Sequence, residues 1–273
     1  MNTILVPTDF SDASQNASDY AAALAKELGA SIILFHAYML PVPVAEIPFV
    51  MVTADEMQKN SEESIKREAA RLSGKAGVEV KWIVRLGIPY DEIKELANEQ
   101  HVDLLVMGMK GSGSLEKLLG STTRAVIRKF RIPVLVVPAT GKFRIPSQIT
   151  YATDFDAGMR LDCFESLLYI ARKFKTHLHI VHVLKTGRQM SASDNAGKSR
   201  LEAIWGNLPH TYHTVENDKT EEGIRQFLTT NNTDLLVLVA HPHNFIDRLF
   251  NPHMTVDFSN DSPVPVLILE DKE

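Results

Sequence analysis

The chain has 273 residues, 44% of them hydrophobic and 23% charged, a composition typical of a globular protein with one large or two medium domains. A formal net charge of −5 argues against nucleic acid as a partner, and no apolar run approaches the length of a membrane span. The single cysteine, Cys163, excludes an intrachain disulfide and is typical of a reducing compartment. Because the first residues carry no export signal, a cytoplasmic location without membrane partners is expected.

Five short apolar runs alternate with amphipathic segments in the first half of the chain. They lie at about 3–7, 31–37, 78–84, 103–108 and 133–137, and their continuous apolar character predicts parallel strands covered on both faces. The first amphipathic segment predicts a helix that begins with Asp12 and Gln15 as a capping box and ends at Gly29. This alternation predicts a doubly wound α/β sheet with right-handed crossovers.

The second half repeats the first half in the same order. The matching pairs are ILVPTDFSDA (4–13) with ITYATDFDAG (149–158), SIILFHAYML (31–40) with HLHIVHVLKT (177–186), DLLVMG (103–108) with DLLVLV (234–239), and IPVLVVP (132–138) with VPVLILE (264–270). Four ordered matches predict two tandem α/β domains with five-stranded parallel sheets, at residues 1–140 and 147–273. We expect the two domains to associate through their last strands, and a homodimer of such chains is also compatible with the pattern.

Two features at predicted strand ends indicate a ligand site. In doubly wound sheets, ligands bind beyond the carboxyl ends of the strands, where the strand order reverses. If the first and fourth strands are neighbours there, Asp9 and the glycine-rich stretch GMKGSGSLEKLLGS (108–121) face one crevice. The glycines indicate either a tight turn or a phosphate-binding loop, and Asp9 either contacts the ligand or caps the first helix.

The stretches VPTDFS (6–11), FHAY (35–38) and VMGMKGSGSLEKLLGSTTRAV (106–126) resemble a universal stress protein domain, and the chain resembles a tandem form of that family. The resemblance implies an adenine nucleotide alpha hydrolase-like fold in each half. The family's pattern after the fourth strand is Gly, two residues, Gly, nine residues, Gly, and then Ser or Thr. Gly108, Gly111, Gly120 and Ser121 match this pattern, except that eight residues separate Gly111 from Gly120.

The same resemblance implies that the first domain binds an adenine nucleotide, ATP or AMP, with or without magnesium. It places Asp9 at the ribose, Pro7 and Thr8 beside the base, and the backbone of Ala37 at the adenine. It assigns Gly108, Met109, Lys110 and Gly111 to the ribose and phosphates, and Gly120, Ser121 and Thr122 to the phosphate oxygens. A helix start preceded by glycine offers free N–H groups and a positive dipole end, which agrees with this assignment.

The second half departs from the glycine pattern. Val239, Pro242, Asn251 and Pro252 stand where the first half has Gly108, Gly111, Gly120 and Ser121. Because proline lacks an N–H donor and valine does not adopt glycine conformations, this half is predicted to have lost the phosphate-binding loop and to serve as a pairing partner.

The histidines of the chain favour ordinary structural roles over metal binding. His36 and His182 stand at equivalent strand ends, where a hydrogen-bonded, partly buried imidazole is expected. His241, His243 and His253 border the altered loop, but closeness in sequence does not bring three ligands to one point, so a metal site is not predicted.

The expected function is therefore a regulatory or protective role in the stress response, through nucleotide binding and not catalysis. No Gly-Lys-Ser/Thr triplet of a Walker loop follows the glycines, and Asp9 is the one acid near them that could hold magnesium. Two alternatives stay open. One is an interaction protein of the same fold that binds no nucleotide, and the other is a slow ATPase.

Overall fold

The computed structural model describes residues 1–40, 53–109, 121–156, 158–240 and 264–271, and their fold is α/β. The strands are β1 (Thr3–Pro7), β2 (Ser31–Tyr38), β3 (Val80–Leu86), β4 (Leu104–Gly108), β5 (Val134–Val137), β6 (Gln148–Ala152), β7 (His177–Leu184), β8 (His210–Glu216), β9 (Leu235–Ala240) and β10 (Val266–Glu270). The helices are α1 (Asp12–Leu28), α2 (Ala54–Ala76), α3 (Pro89–Glu99), α4 (Ser121–Lys129), α5 (Glu165–Phe174), α6 (Ala192–Trp205) and α7 (Thr220–Thr230), with a short 3-10 helix (Leu161–Phe164) before α5. The five strands predicted in the first half are confirmed.

All ten strands form one sheet in the order β3-β2-β1-β4-β5-β10-β9-β6-β7-β8. Within each half the paired strands are parallel, and the second half repeats the strand order of the first. β5 and β10 pair antiparallel, with Val136 opposite Val266 and Val134 opposite Ile268. The two five-stranded sheets expected from the sequence are thus two halves of one continuous sheet.

The strand order reverses between β1 and β4. β1 pairs with β2 on one side and with β4 on the other, where Ile4 lies opposite Leu104. The prediction that the first and fourth strands are neighbours is confirmed, and the carboxyl ends of these two strands form the crevice expected at such a reversal.

Strand side chains of the first half alternate between two buried layers. Ile4 and Val6 pack in the layer that contains α1 and α2, whereas Leu5 packs in the layer that contains α3 and α4. The sheet is therefore covered on both faces, which explains why its strands read as continuous apolar runs and not as alternating ones.

The start of α1 differs from the prediction. Ser11, and not Asp12, is the N-cap, and its hydroxyl accepts a hydrogen bond from the backbone N–H of Ser14 at 3.4 Å. The Gln15 amide donates to the carbonyl oxygen of Phe10 at 3.1 Å, so the predicted capping box of Asp12 and Gln15 is wrong. Phe10, directly before the cap, adopts a φ of 62° in a tight turn, and the chain enters helical geometry only after Ser11. The predicted end of the helix at Gly29 is confirmed, with φ at 73°.

The turn that leads into α1 is repeated after β6. Thr8 Oγ1 accepts from the N–H of Phe10 at 3.0 Å, and Thr153 Oγ1 accepts from the N–H of Phe155 at 2.9 Å. Phe155 also has a positive φ, of 57°, like Phe10. The Thr-Asp-Phe sequence thus produces the same backbone turn in both halves.

One histidine holds each of these turns. His36 Nδ1 lies 2.8 Å from the carbonyl oxygen of Thr8, and His182 Nδ1 lies 2.9 Å from that of Thr153. The expectation that both are hydrogen-bonded, partly buried histidines is confirmed for His36, and His182 is more deeply buried, with 6% of its surface exposed.

Candidate functional site

A crevice with a volume of about 210 Å³ opens at the carboxyl ends of β1 and β4. Seven of the residues predicted for the site line it: Pro7, Thr8, Asp9, Ala37, Gly108, Ser121 and Thr122. Although these residues come from four separate parts of the sequence, the strand order brings them together at one edge of the sheet.

Of the other four predicted residues, only Met109 lies among the described residues, and it does not line the crevice. Met109 was assigned to the ribose and phosphates, but its side chain is buried in the layer of α3 and α4, with 6% of its surface exposed. Its backbone N–H donates to the carbonyl oxygen of Val137 at 2.8 Å and is therefore already paired, so we correct that assignment. Lys110, Gly111 and Gly120 lie outside the described residues.

Asp9 carries the negative charge of the crevice. Its Oδ1 accepts from the backbone N–H of Ser11 at 3.1 Å and from the Ser11 hydroxyl at 2.5 Å. Partial burial raises the pKa of this carboxyl, but the hydrogen bonds from Ser11 lower it by more, so the pKa lies below its ordinary value. Asp9 is thus ionised at neutral pH, and its second oxygen, Oδ2, has no hydrogen-bond partner among the described residues.

Asp9 does not cap α1 directly. It accepts hydrogen bonds from Ser11, which is the cap, so Asp9 supports the cap without being the cap that the alternative expected. Asp9 can support the cap and also contact a ligand, because its contacts with Ser11 use Oδ1 alone.

Two helices begin at the crevice. Ser11, Ala13 and Ser14 belong to the start of α1, and Ser121, Thr122 and Thr123 belong to the first turn of α4. The N-terminal end of a helix carries a positive partial charge and N–H groups without partners in the helix, so two such ends at one crevice favour an anion.

The hydroxyl groups at the start of α1 are already connected to each other. Thr8 Oγ1 and Ser14 Oγ are 3.1 Å apart, and Ser14 Oγ donates to the carbonyl oxygen of Ser11 at 2.9 Å. Both Thr8 and Ser14 are buried. This network holds the floor of the crevice rigid, whereas Ser121 at the start of α4 is exposed.

Part of the crevice lining is apolar, and sequence reasoning missed most of this part. Phe35, Pro89, Ile93 and Met107 line it together with Ala37. Pro89 and Ile93 belong to α3, which connects the outer strand β3 to β4 and must cross over β2 and β1 on the way. The order of the predicted elements could have indicated this contribution of α3, because a crossover helix from β3 to the strand beyond β1 passes this edge of the sheet.

A model of the universal stress protein family matches residues 1–138. The chain belongs to this family. Universal stress protein MJ0531 from Methanocaldococcus jannaschii is 34% identical over 142 residues, which cover 49% of this chain and 80% of the relative. Universal stress protein Slr1230 from Synechocystis is 25% identical over 293 residues and covers 98% of this chain and 99% of the relative, as a tandem form would.

A solved universal stress protein has the fold of the whole chain. The crystal structure of a family member from Archaeoglobus fulgidus aligns with a TM-score of 0.76 at 21% identity and covers 99% of both chains. This likeness shows that the full-length arrangement of both halves exists in another member of the family.

Neither a membrane helix nor a metal cluster is found in the part of the chain that the structure describes. No helix there is sufficiently long and apolar to cross a bilayer. Within the same residues, no three His, Cys, Asp or Glu side chains are grouped to hold a metal ion, and His241, His243 and His253 lie outside them.

Proposed function

We propose that this universal stress protein binds an adenine nucleotide, ATP or AMP, in the crevice of its first half. The observation that carries the proposal is that apolar side chains and the first turns of α1 and α4 line one crevice. Such a site offers a dry surface to a planar base and positive helix ends to an anion, which are the two parts of a nucleotide.

Each part of the nucleotide has a proposed set of contacts. The base packs between Ala37, Pro7 and the α3 side chains Pro89 and Ile93, near Thr8. The ribose hydroxyls donate to Asp9 Oδ2, because an ionised carboxylate accepts hydrogen bonds and repels phosphate. The phosphates bind at Gly108, Ser121 and Thr122, and the family pattern adds Lys110, Gly111 and Gly120. Met109 is not part of the proposed site.

We propose the division into domains at residues 1–140 and 147–273, with one nucleotide per chain. The repeated strand order supports two equivalent units, and the antiparallel pair of β5 and β10 supports their association within one chain. In this proposal the second unit is the partner of the first, and nucleotide occupancy in a cytoplasmic protein changes how the chain associates with others under stress.

The proposal is for binding and not for hydrolysis. Asp9 is the one acidic residue among the described residues that line the crevice, and its proposed contact is the ribose. A slow ATPase would need a group that positions water at the terminal phosphate. Phosphate release from ATP with magnesium that stops in Asp9→Ala would replace our proposal by the slow ATPase.

The test is calorimetric titration of the full chain, stripped of bound ligand, with ATP, ADP and AMP, with and without magnesium. We expect saturable binding at one site per chain. Thr122→Glu places a negative charge at the proposed phosphate site and should weaken ATP binding by about tenfold or more. Thr122→Gln has nearly the same size without the charge and is the matched control.

Two other results would contradict the proposed nucleotide site. If no nucleotide binds the wild-type chain, the interaction protein without nucleotide is the better account. If Thr122→Glu and Thr122→Gln weaken ATP binding equally, the loss comes from shape and the phosphates do not lie at Thr122.

A further inference from the structure

The second half also contains a crevice, at the carboxyl ends of β6 and β9. Its volume is about 190 Å³, close to that of the first crevice. Its lining residues occupy equivalent places: Thr153 for Thr8, Asp154 for Asp9, Val183 for Ala37, Thr220 for Pro89, and Ile224 for Ile93. The base and ribose regions of the first crevice thus have counterparts, although the glycine pattern does not.

Two polar groups of the second crevice, Asp154 and His182, can accept hydrogen bonds, while the Thr220 hydroxyl can both donate and accept. His182 lines it, and because its Nδ1 lies 2.9 Å from the carbonyl oxygen of Thr153, that nitrogen must donate. In the neutral ring Nε2 is then an acceptor, and no described residue bonds to it. Asp154 Oδ1 accepts one hydrogen bond, from the N–H of Asp156 at 3.2 Å, so its carboxylate is less occupied than that of Asp9.

The second crevice lacks the glycine that lines the proposed phosphate site of the first crevice. Val239 lines the second crevice where Gly108 lines the first. In the sequence, Pro242 and Pro252 stand where the first half has Gly111 and Ser121, and proline has no N–H to donate. A carboxylate and an imidazole acceptor, with a valine in place of glycine, select hydrogen-bond donors and disfavour a phosphate.

We propose that the crevice at β6 and β9 binds an uncharged nucleoside or a similar heterocycle that carries hydroxyl and amino groups. The ring lies against the aliphatic side chains of Val183, Ile224 and Val239. The hydroxyl and amino groups of the ligand donate to Asp154 and to His182 Nε2. The chain would then have two crevices of one design with different selectivity, one for a nucleotide and one for a ligand without phosphate.

Pro89 and Thr220 provide a matched pair of variants. Each lies in the first turn of its helix, α3 or α7, and lines its own crevice, so tryptophan at either position fills one crevice and leaves the other free. Thr220 is exposed and Pro89 is half-buried, which limits the effect on folding. Asp154→Asn is a third variant that keeps size and removes charge.

The experiment titrates the full chain with adenosine, guanosine, cytidine and uridine, and separately with ATP. We expect Pro89→Trp to bind one of the four nucleosides at one site per chain. Adding Thr220→Trp to Pro89→Trp should weaken that binding by about tenfold or more. If the combined variant does not fold, adding Asp154→Asn to Pro89→Trp decides instead, with an expected loss of about fivefold or more.

The proposal is overturned if Pro89→Trp binds none of the four nucleosides, or if neither added substitution weakens the binding. The result is independent of the nucleotide proposal, because ATP binding to Thr220→Trp reports on the first crevice alone. If Pro89→Trp binds a nucleoside but Thr220→Trp binds no ATP, the result supports the proposal for the second crevice and refutes the nucleotide proposal for the first.

Discussion

Gly108 at the end of β4 lies directly against Ala13 in the first turn of α1. A Cβ atom at residue 108 would lie 2.4 Å from the carbonyl oxygen of Ala13 and 2.7 Å from its carbonyl carbon. Both contacts are with backbone, which cannot turn aside as a side chain can. In the second half Val239 stands at the equivalent position, and the first helical turn after the Thr153 turn begins only at Leu161, whereas α1 begins at Asp12.

We therefore expect Gly108→Ala to destabilise the chain by about 1–3 kcal/mol, because α1 or β4 must shift to admit the methyl group. The free energy of unfolding in urea measures this. The control is Gly74→Ala in α2, where an added Cβ meets nothing within 4 Å. That substitution should raise stability by up to about 1 kcal/mol through helix propensity. Wild-type stability in Gly108→Ala would show that the two elements are not held at this distance.

The two turn histidines should behave alike. The His36 ring lies 4.6 Å from the Phe10 ring and the His182 ring 4.7 Å from the Phe155 ring, so phenylalanine retains the ring contact and loses only the hydrogen bond. His36→Phe and His182→Phe should each lower the free energy of unfolding by about 1–2 kcal/mol, because the carbonyl of the turn loses its donor. Thermal unfolding of each variant checks this, and an effect in one half alone would contradict equal structural roles.

Two hydrogen-bonded histidines in the second half, His179 and His213, should make stability depend on pH. His179 Nδ1 lies 3.0 Å from Nε2 of His213, and its Nε2 lies 2.8 Å from Oε1 of Gln148. Burial, with His177 and His213 nearby, lowers the pKa of His179, and burial with His177 lowers the pKa of His213. The unfolded chain then binds protons more readily, since its histidines keep a pKa of about 6.5.

The free energy of unfolding should therefore fall as the pH drops below about 6.5 towards the lowered pKa values. Above about pH 6.5 the two histidines should cause no such loss. Urea unfolding at pH values of about 7.5 and 5.5 measures the difference. His213→Phe, which can pack on Phe227 as the imidazole does, should make that difference smaller. Carboxylates such as Asp9 and Asp19, whose pKa values are lowered, lose their contribution only near pH 4 and below, so the two effects separate. An unchanged pH dependence in His213→Phe would contradict this assignment.

A network of charges joins α1 to α2. Arg71 makes a bidentate contact with Glu68 at 2.8 and 2.7 Å and reaches Asp19 Oδ1 at 2.7 Å. The Glu68 side chain is only 10% exposed, so Arg71→Met leaves a nearly buried carboxylate without its partner. We expect a loss of about 1–3 kcal/mol in the free energy of unfolding.

The control for that loss is an exposed ion pair. Lys219 and Glu222 are 2.7 Å apart with 62% and 42% of their side chains exposed. Lys219→Met should therefore cost no more than about 1 kcal/mol in the same urea titration. Equal losses in the two variants would show that burial of Glu68 does not matter.

The strands, the repeat and seven of the fifteen described residues that line the first crevice could be predicted from sequence, through local patterns and the family resemblance. Continuous apolar runs identify strands buried on both faces, and Pro7, Thr8 and Asp9 follow such a run directly. The cap of α1 is harder to predict, because Ser11 and Asp12 are adjacent and both residue types are favoured N-caps, so the backbone of the turn at Phe10 decides between them.

What required the tertiary structure is every relationship between segments distant along the chain. The contribution of Pro89 and Ile93 to the crevice follows from the path of α3 over the sheet, and the union of the two halves follows from the pairing of β5 with β10. The need for glycine at residue 108 comes from the distance to Ala13, which no local pattern encodes. Residue types decide which elements form, but the close packing of those elements decides which side chains share a site and which positions admit no side chain.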